Sequence, residues 1–286
     1  MKWFFVVLFL LAMLGSNGSH AAIWEITYPK ASTDQDRRND YPIKLLELAL
    51  EQTGVRYVIQ PSLQELPHGK AVKQLRENRE INLIWSMTSD TRERELLPIR
   101  IPIYKGLIGW RVFIIHQDLQ PQFYAIDSIQ ELANFRAIQG HDWPDTKILQ
   151  ANGFDVVTSS RYSELFSLLK EKQGGFFPRS VVEVGYELNS DLSGGNLMLE
   201  SDLGVQYPTA IYFFLNNRSK ALKRLIESGL EKVIDDGQFD QLFLQQHQEL
   251  LEALNVSQRR FFTLTNPFLP EETPLSRAAL WYGSTE

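Results

Sequence analysis

Residues 85–95 read Trp-Ser-Met-Thr-Ser-Asp-Thr-Arg-Glu-Arg-Glu, which places the hydroxyls of Thr88 and Ser89 just ahead of two arginines, Arg92 and Arg94. A guanidinium offers two parallel N–H donors that match a carboxylate, and hydroxyls add neutral donors beside it. Arg94 reads equally well as a solvated charge balanced by its glutamate neighbours, an arrangement worth little in free energy. A second polar group is His141-Asp142-Trp143-Pro144. It is either a loop turn ahead of a helix or a pair lining a cleft. The third is Phe177-Pro178-Arg179-Ser180. There Arg179 either meets a bound anion or pairs with Glu183 four positions on. Tyr28, Trp85 and Tyr207 could wall a site, although large aromatics also fill cores.

Catalytic and metal-binding patterns are missing. The histidines are His20, His68, His116, His141 and His247, none three or four residues from another, so no helical metal pair exists. The sequence has no cysteine, which excludes disulfides, thiolate nucleophiles and a lipid-modified cysteine. It has no G-x-S-x-G elbow, no P-loop and no G-x-G-x-x-G after a strand. No cofactor, no metal and no enzymatic activity are expected. The chain has 286 residues, 43% of them hydrophobic and 22% charged, with a net charge of −6. This composition suits a folded protein of roughly two domains. The acidic balance argues against a nucleic-acid partner, because phosphate backbones require clustered Lys and Arg.

Lys2, an apolar run over residues 3–14 and the small residues Ser19 and Ala21 read as a secretory signal peptide over residues 1–21, cleaved near Ala21. The run is too short to span a bilayer, which takes ~20 apolar residues. A soluble periplasmic protein is expected.

The elements that must position the polar groups follow in order. Residues 23–28 alternate as a strand. A helix starts at Asn39 or Asp40, with Pro42 in its first turn and a stripe of Ile43, Leu45, Leu46, Ala49 and Leu50. A strand over 55–60, a helix over 70–78 and a strand over 81–85 complete a β-α-β-α-β unit, which implies a parallel sheet. Residues 106–116 read as a long strand that bends at Gly109. Ser128 and Glu131 form a capping box, followed by a strand at 136–139, a helix after Asp142, a strand at 154–158 and a helix at 162–170. Residues 190–196 read as a surface turn. A strand over 207–215 and amphipathic helices from Ser219 to Gly237 and over 239–254 follow. The proline-bearing tail beyond Val256 reads as irregular but packed down by Phe261, Phe262, Phe268 and Trp281.

The strand into a Ser/Thr-rich turn, then T-x-x-R-E and Pro102-Ile103-Tyr104-Lys105-Gly106, resembles the solute-binding proteins of amino-acid importers, extracellular family 3. Gly140 after the Ser128 helix and the Asp236-Gly237-Gln238-Phe239 break agree with it. The resemblance covers residues 28 to about 251. It implies the type II periplasmic binding protein fold, two α/β lobes with mixed sheets joined by two crossover strands near 105–109 and 205–209. Lobe one would comprise residues 22–108 plus 208–286 and lobe two residues 109–207. Hinge closure would trap a solute between them. The family's carboxylate clamp falls on Arg94 and Ser89, or Thr88, with Arg92 exchanging for Arg94 under a one-step shift. Trp85, Tyr28, Asp142, Trp143 and Arg179 complete the implied ligand-binding set. Asp142 stands where relatives carry Ser or Thr, and Arg179 where many carry an acid. A cationic amino acid therefore fits poorly, and a carboxylated solute with a second anionic group fits better. The implied partners are that small molecule and an inner-membrane importer or sensor, with the protein a monomer. A dehydratase or lyase using Asp142 or Glu183 as its acid is the enzymatic alternative.

Overall fold

The computed structural model describes residues 22–30, 37–185 and 195–283. The signal-peptide stretch and most of the turn at 190–196 lie outside the described residues.

Strand β1 (Ile23–Lys30) pairs in parallel with β2 (Arg56–Glu65), and helix α1 (Asp40–Glu51) crosses between them. The apolar spacing of α1 buries Leu45, Leu46, Ala49 and Leu50 on one face, as expected, while Ile43 is only half-buried. After α2 (His68–Arg76) comes β3 (Leu83–Met87). The parallel sheet expected from sequence stops here. Strand β10 (Ile211–Leu215) returns from far along the chain and lies antiparallel between β3 and β4 (Leu97–Ile99), with Trp85 opposite Phe213. Asn82 ties β1 to this group: its Oδ1 accepts from Thr27 N–H at 2.9 Å and its Nδ2 donates to Glu25 C=O at 2.7 Å. Between β3 and β4 sits a short helix, α3 (Asp90–Glu95).

The expected strand over 106–116 begins later. Lys105 and Gly106 both adopt left-handed backbone, with φ of 47° and 76°, and a 3-10 turn occupies Leu107–Gly109 before β5 (Trp110–His116) starts. The two positive φ values turn the chain into a second sheet, ordered β11-β9-β5-β8. Its members are β8 (Phe177–Ser180), β9 (Leu197–Gln206) and β11 (Arg260–Thr263). Helices α4 (Gln120–Phe123) and α5 (Ile129–Leu132) follow β5, and the capping box at Ser128 is formed. The α5 helix is a single turn. A parallel pair, β6 (Ala137–Gly140) and β7 (Val156–Ser159), carries α6 (Pro144–Ala151) and α7 (Tyr162–Lys170). Two long helices, α8 (Lys220–Asp235) and α9 (Gln238–Ala253), follow β10.

Because β10 joins β3 and β4 while β11 joins β9, the tail does not stay with the first segment. Residues 260–263 extend the sheet of β5, β8 and β9 through the pairs Arg260–Leu203 to Thr263–Gln206. The expected lobe one takes in all of 208–286 with an irregular tail, whereas residues 260–263 form a strand of the other sheet. A Phe-Phe pair flanked by polar residues is too short a signal to separate a strand from a packed loop.

The core of the described residues falls into three clusters, two of them large. One cluster joins Leu45, Leu46 and Leu50 of α1 to Phe213 and Leu215 of β10 and to Ile226, Leu230 and Val233 of α8. A second gathers Phe113, Ile115, Phe123, Phe176, Leu203 and Val205 around the β5–β9 sheet. Burial of each such side chain stabilises by roughly 1.5–3 kcal/mol. Among the described residues no helix is long and apolar enough to cross a membrane.

Candidate functional site

Strand β5 reads Trp-Arg-Val-Phe-Ile-Ile-His and is buried on both faces, yet it carries Arg111 at only 2% exposure. A guanidinium this deep must be paired. Its Nη2 lies 2.5 Å from Asp145 Oδ1, its Nη1 3.4 Å from Glu183 Oε2, and its Nε donates to Tyr207 Oη at 3.0 Å. Tyr207 in turn donates a very short hydrogen bond to Asp145 Oδ1. Burial alone would lower the Arg111 pKa, but Asp145, Tyr207 and Glu183 outweigh it and raise it. The Tyr207 hydroxyl is held well above its ordinary range, first by burial, so it stays a donor.

A second guanidinium adjoins the first. Arg179 on β8 is opposite Val112 in the β5–β8 ladder, one position from Arg111, and its Nη2 lies 3.2 Å from the same Glu183 oxygen. Its guanidinium carbon stands 4.6 Å from the Trp143 ring centre and 5.1 Å from that of Phe177. Those two rings are stacked at 6.2 Å and 20°. The result is a buried quartet of two arginines and two acids with an aromatic plate on one side. Glu183, with its side chain 29% exposed, is the member open to solvent.

The start of α6 explains which acid takes part. Trp143 is the N-cap residue, Pro144 fills the first helical position, and Asp145 sits in the first turn. This turns Asp145 inward onto Arg111, and Thr146 Oγ1 donates to Gly140 C=O at 2.8 Å. Asp142 precedes the helix and points away, its side chain 91% exposed and 4.0 Å from His141. It neither caps the helix nor joins the buried charges; the acid that reaches them is Asp145, three positions on. Trp143 lies flat over Gly140, where an added Cβ would come within 2.4 Å of the ring. A bare helix N-terminus for an anion is therefore not presented at this place; the indole and the chain's own carboxylate fill it.

The expected clamp at 88–94 is rearranged. Ser89 is the N-cap of α3 and accepts from Arg92 N–H at 3.3 Å. Thr88 is buried and donates to Glu93 Oε1 at 2.5 Å. Glu93, not an arginine, takes the inward position, held by Arg100 at 2.6 Å. Arg94 is exposed and donates to Thr91 Oγ1 at 3.2 Å; among the described residues it makes no ion pair. Arg92 is the arginine that folds back, donating a very short bond to Met87 C=O at the end of β3, and burial lowers its pKa. The two arginines stand two positions apart on a six-residue helix, and the resemblance to the importer proteins, not the spacing, favours Arg94. Tyr28 and Trp85 pack together at 5.6 Å, with Trp85 edge-on to Phe213. Both are half-buried.

Of the expected residues, the structure brings Trp143 and Arg179 together and sets Thr88 and Ser89 around α3. Arg94 and Asp142 are left in solvent. Arg111 and Asp145 were missed. The signal for Arg111 was there: one charge inside an otherwise apolar strand needs a buried partner.

No known protein-family pattern matches the sequence, and no curated protein matches it. Solved structures do match. The probable amino-acid ABC transporter extracellular-binding protein ytmK from Bacillus subtilis aligns over 79% of this chain and 98% of its own, with a TM-score of 0.59 and 16% identity. A Salmonella typhimurium periplasmic binding protein of high arginine specificity aligns over 78% and 99%, with a TM-score of 0.54 and 13% identity. The periplasmic VFT2 domain of Bordetella pertussis BvgS aligns over 78% and 93%, with a TM-score of 0.57 and 16% identity. The chain has the periplasmic binding protein fold expected from its sequence.

Proposed function

We propose that this chain is a periplasmic solute-binding protein that closes over a small carboxylated, zwitterionic solute and presents it to a membrane partner. The observation that carries the reading is the quartet of Arg111, Asp145, Glu183 and Arg179 beside Trp143. It is electrically balanced; Glu183 is its solvent-open member, and the Arg179 guanidinium lies just behind it, buried under the Trp143 ring. Such a pair offers a donor to a carboxylate and an acceptor to an ammonium. Arg92, Trp85 and Tyr28 would face it from the other lobe. The balance of charge removes the main reason to expect a second anionic group on the solute.

Lobes meeting near residues 108–109 and 207–208, a cleaved leader ending near Ala21 and a monomeric state belong to the same proposal. The enzymatic alternative loses support, since Asp142 is solvated and Glu183 is paired with two guanidinium groups. A sensor role in place of import is favoured by one observation, the likeness to a histidine kinase sensor domain, with a TM-score of 0.52 and 13% identity. A thermal-shift panel of the common amino acids and dicarboxylic acids tests the reading. At least one zwitterionic solute should raise the Tm of the wild type by several degrees; no shift with any of them would count against a binding role.

A further inference from the structure

The tail from 257 to 283 touches the β11-β9-β5-β8 sheet, helix α8 and both crossover segments in turn. Strand β11 is bonded into the β9 edge, and Leu264 N–H continues the ladder to Gln206 C=O at 2.7 Å. Asn152, at the end of α6, then grips Thr265: its Nδ2 donates to Thr265 C=O at 2.8 Å and its Oδ1 accepts from Thr265 N–H at 3.0 Å. To this point the tail moves with the second sheet. Asn266 Nδ2 next donates to Pro208 C=O at 2.9 Å, on one crossover segment. Arg277 then reaches α8, on the opposite side, with two parallel bonds to Glu231 at 2.8 and 2.5 Å. Finally Leu280 is fully buried, and Trp281 lies on Gly106, where an added Cβ would come within 2.5 Å of its ring. Tyr282 N–H donates to Lys105 C=O at 2.8 Å, and its ring meets Trp110 and Phe243.

These attachments coincide with the left-handed pair Lys105–Gly106, the point at which the chain turns from one sheet to the other. Rotation of the sheets about the crossovers would change the backbone angles there and separate Asn152 from Glu231. We infer that residues 264–283 form a strap across the hinge that restrains lobe opening, with Arg277 and Trp281 as its anchors on the side opposite β11. The strap acts whether or not a solute is bound, so it goes beyond the binding proposal and does not depend on the identity of any ligand. It rests on the two-lobe reading of the fold.

The absence of cysteine makes the test direct, since only introduced thiols take a label. Spin labels at Glu77→Cys, beyond α2, and Lys170→Cys, on α7, report the separation of the two sheets' layers by pulsed electron resonance without added solute; both positions are exposed. The full chain should give one narrow distance distribution. Removal of residues 264–286 should broaden it at least twofold toward longer distances, and Arg277→Ala with Trp281→Ala should do the same in a chain whose circular dichroism is unchanged. An equally narrow distribution in the folded double variant, or a broad one already in the wild type, would overturn the inference. If the truncated chain fails to fold, the double variant decides alone.

Discussion

Replacing Arg111 by methionine removes a charge from the centre of the quartet while keeping most of the side chain's length. Asp145, whose side chain is 7% exposed, would then retain the Tyr207 hydroxyl but lose its cation. Glu183 would keep Arg179 at 3.2 Å. Breaking a buried pair from one side costs about 3–5 kcal/mol, because the remaining charge is stranded. Against a total stability of about 5–15 kcal/mol this is a large fraction. It corresponds to a Tm lower by roughly 10 °C for a chain of this size. Asp145→Leu alone should cost less, since Arg111 still faces Glu183 at 3.4 Å. The double variant Arg111→Met with Asp145→Leu removes both charges and should recover about 2 kcal/mol or more relative to the sum of the single changes. Urea unfolding of the four proteins measures all of this. An Arg111→Met loss below about 1 kcal/mol, or additive single changes, would refute the view that these charges form one coupled buried unit.

His247 on α9 is buried among Tyr41, Tyr104 and Phe243, with ring centres at 4.6, 5.7 and 5.1 Å, and burial lowers its pKa to about 4. An unfolded histidine titrates near 6.5, so between these values the unfolded chain binds the extra proton and stability rises with pH. About 3 kcal/mol should be lost as the pH falls from 7 toward 4, and His247→Leu should flatten that part of the profile in denaturant melts. Gly229 of α8 faces α1 so closely that a Cβ would stand 2.0 Å from Ala49 C=O oxygen. Gly229→Ala should therefore lower stability by about 2–3 kcal/mol, despite a helix-propensity gain near 1 kcal/mol; calorimetry checks the sign.

Much of the scaffold was legible from residue pattern. The α1 stripe, the Ser128 capping box and helix α7 follow from periodicity and capping, which are local. What depends on distant pairing was not. Nothing near Leu97–Ile99 signals that β10 will bond to it, and a parallel continuation of the first sheet was the simpler reading of the strand–helix alternation. The site divides in the same way. Trp143 and Arg179 stood out in the sequence because each lies where the resemblance leads one to expect another residue, and the structure sets the two side by side. Arg92 and Arg94 stand two positions apart in a six-residue helix, too short for spacing alone to tell which one turns inward. Asp145 was hidden behind Asp142, whose position before the helix start suggested a cap, whereas Pro144 begins the helix and turns the next acid inward.

In the proposed closed state Glu183 and the Arg179 guanidinium behind it, beside Trp143, hold a solute's charged ends. Isothermal titration of the most stabilising solute into the wild type, Arg179→Met and Arg94→Ala tests it most directly. Loss of one charge-assisted bond of about 1.5–3 kcal/mol weakens binding roughly ten- to hundredfold, so Arg179→Met should bind that much more weakly and Arg94→Ala as well as the wild type. Equal affinity for the wild type and Arg179→Met, or loss of binding in Arg94→Ala, would contradict the account.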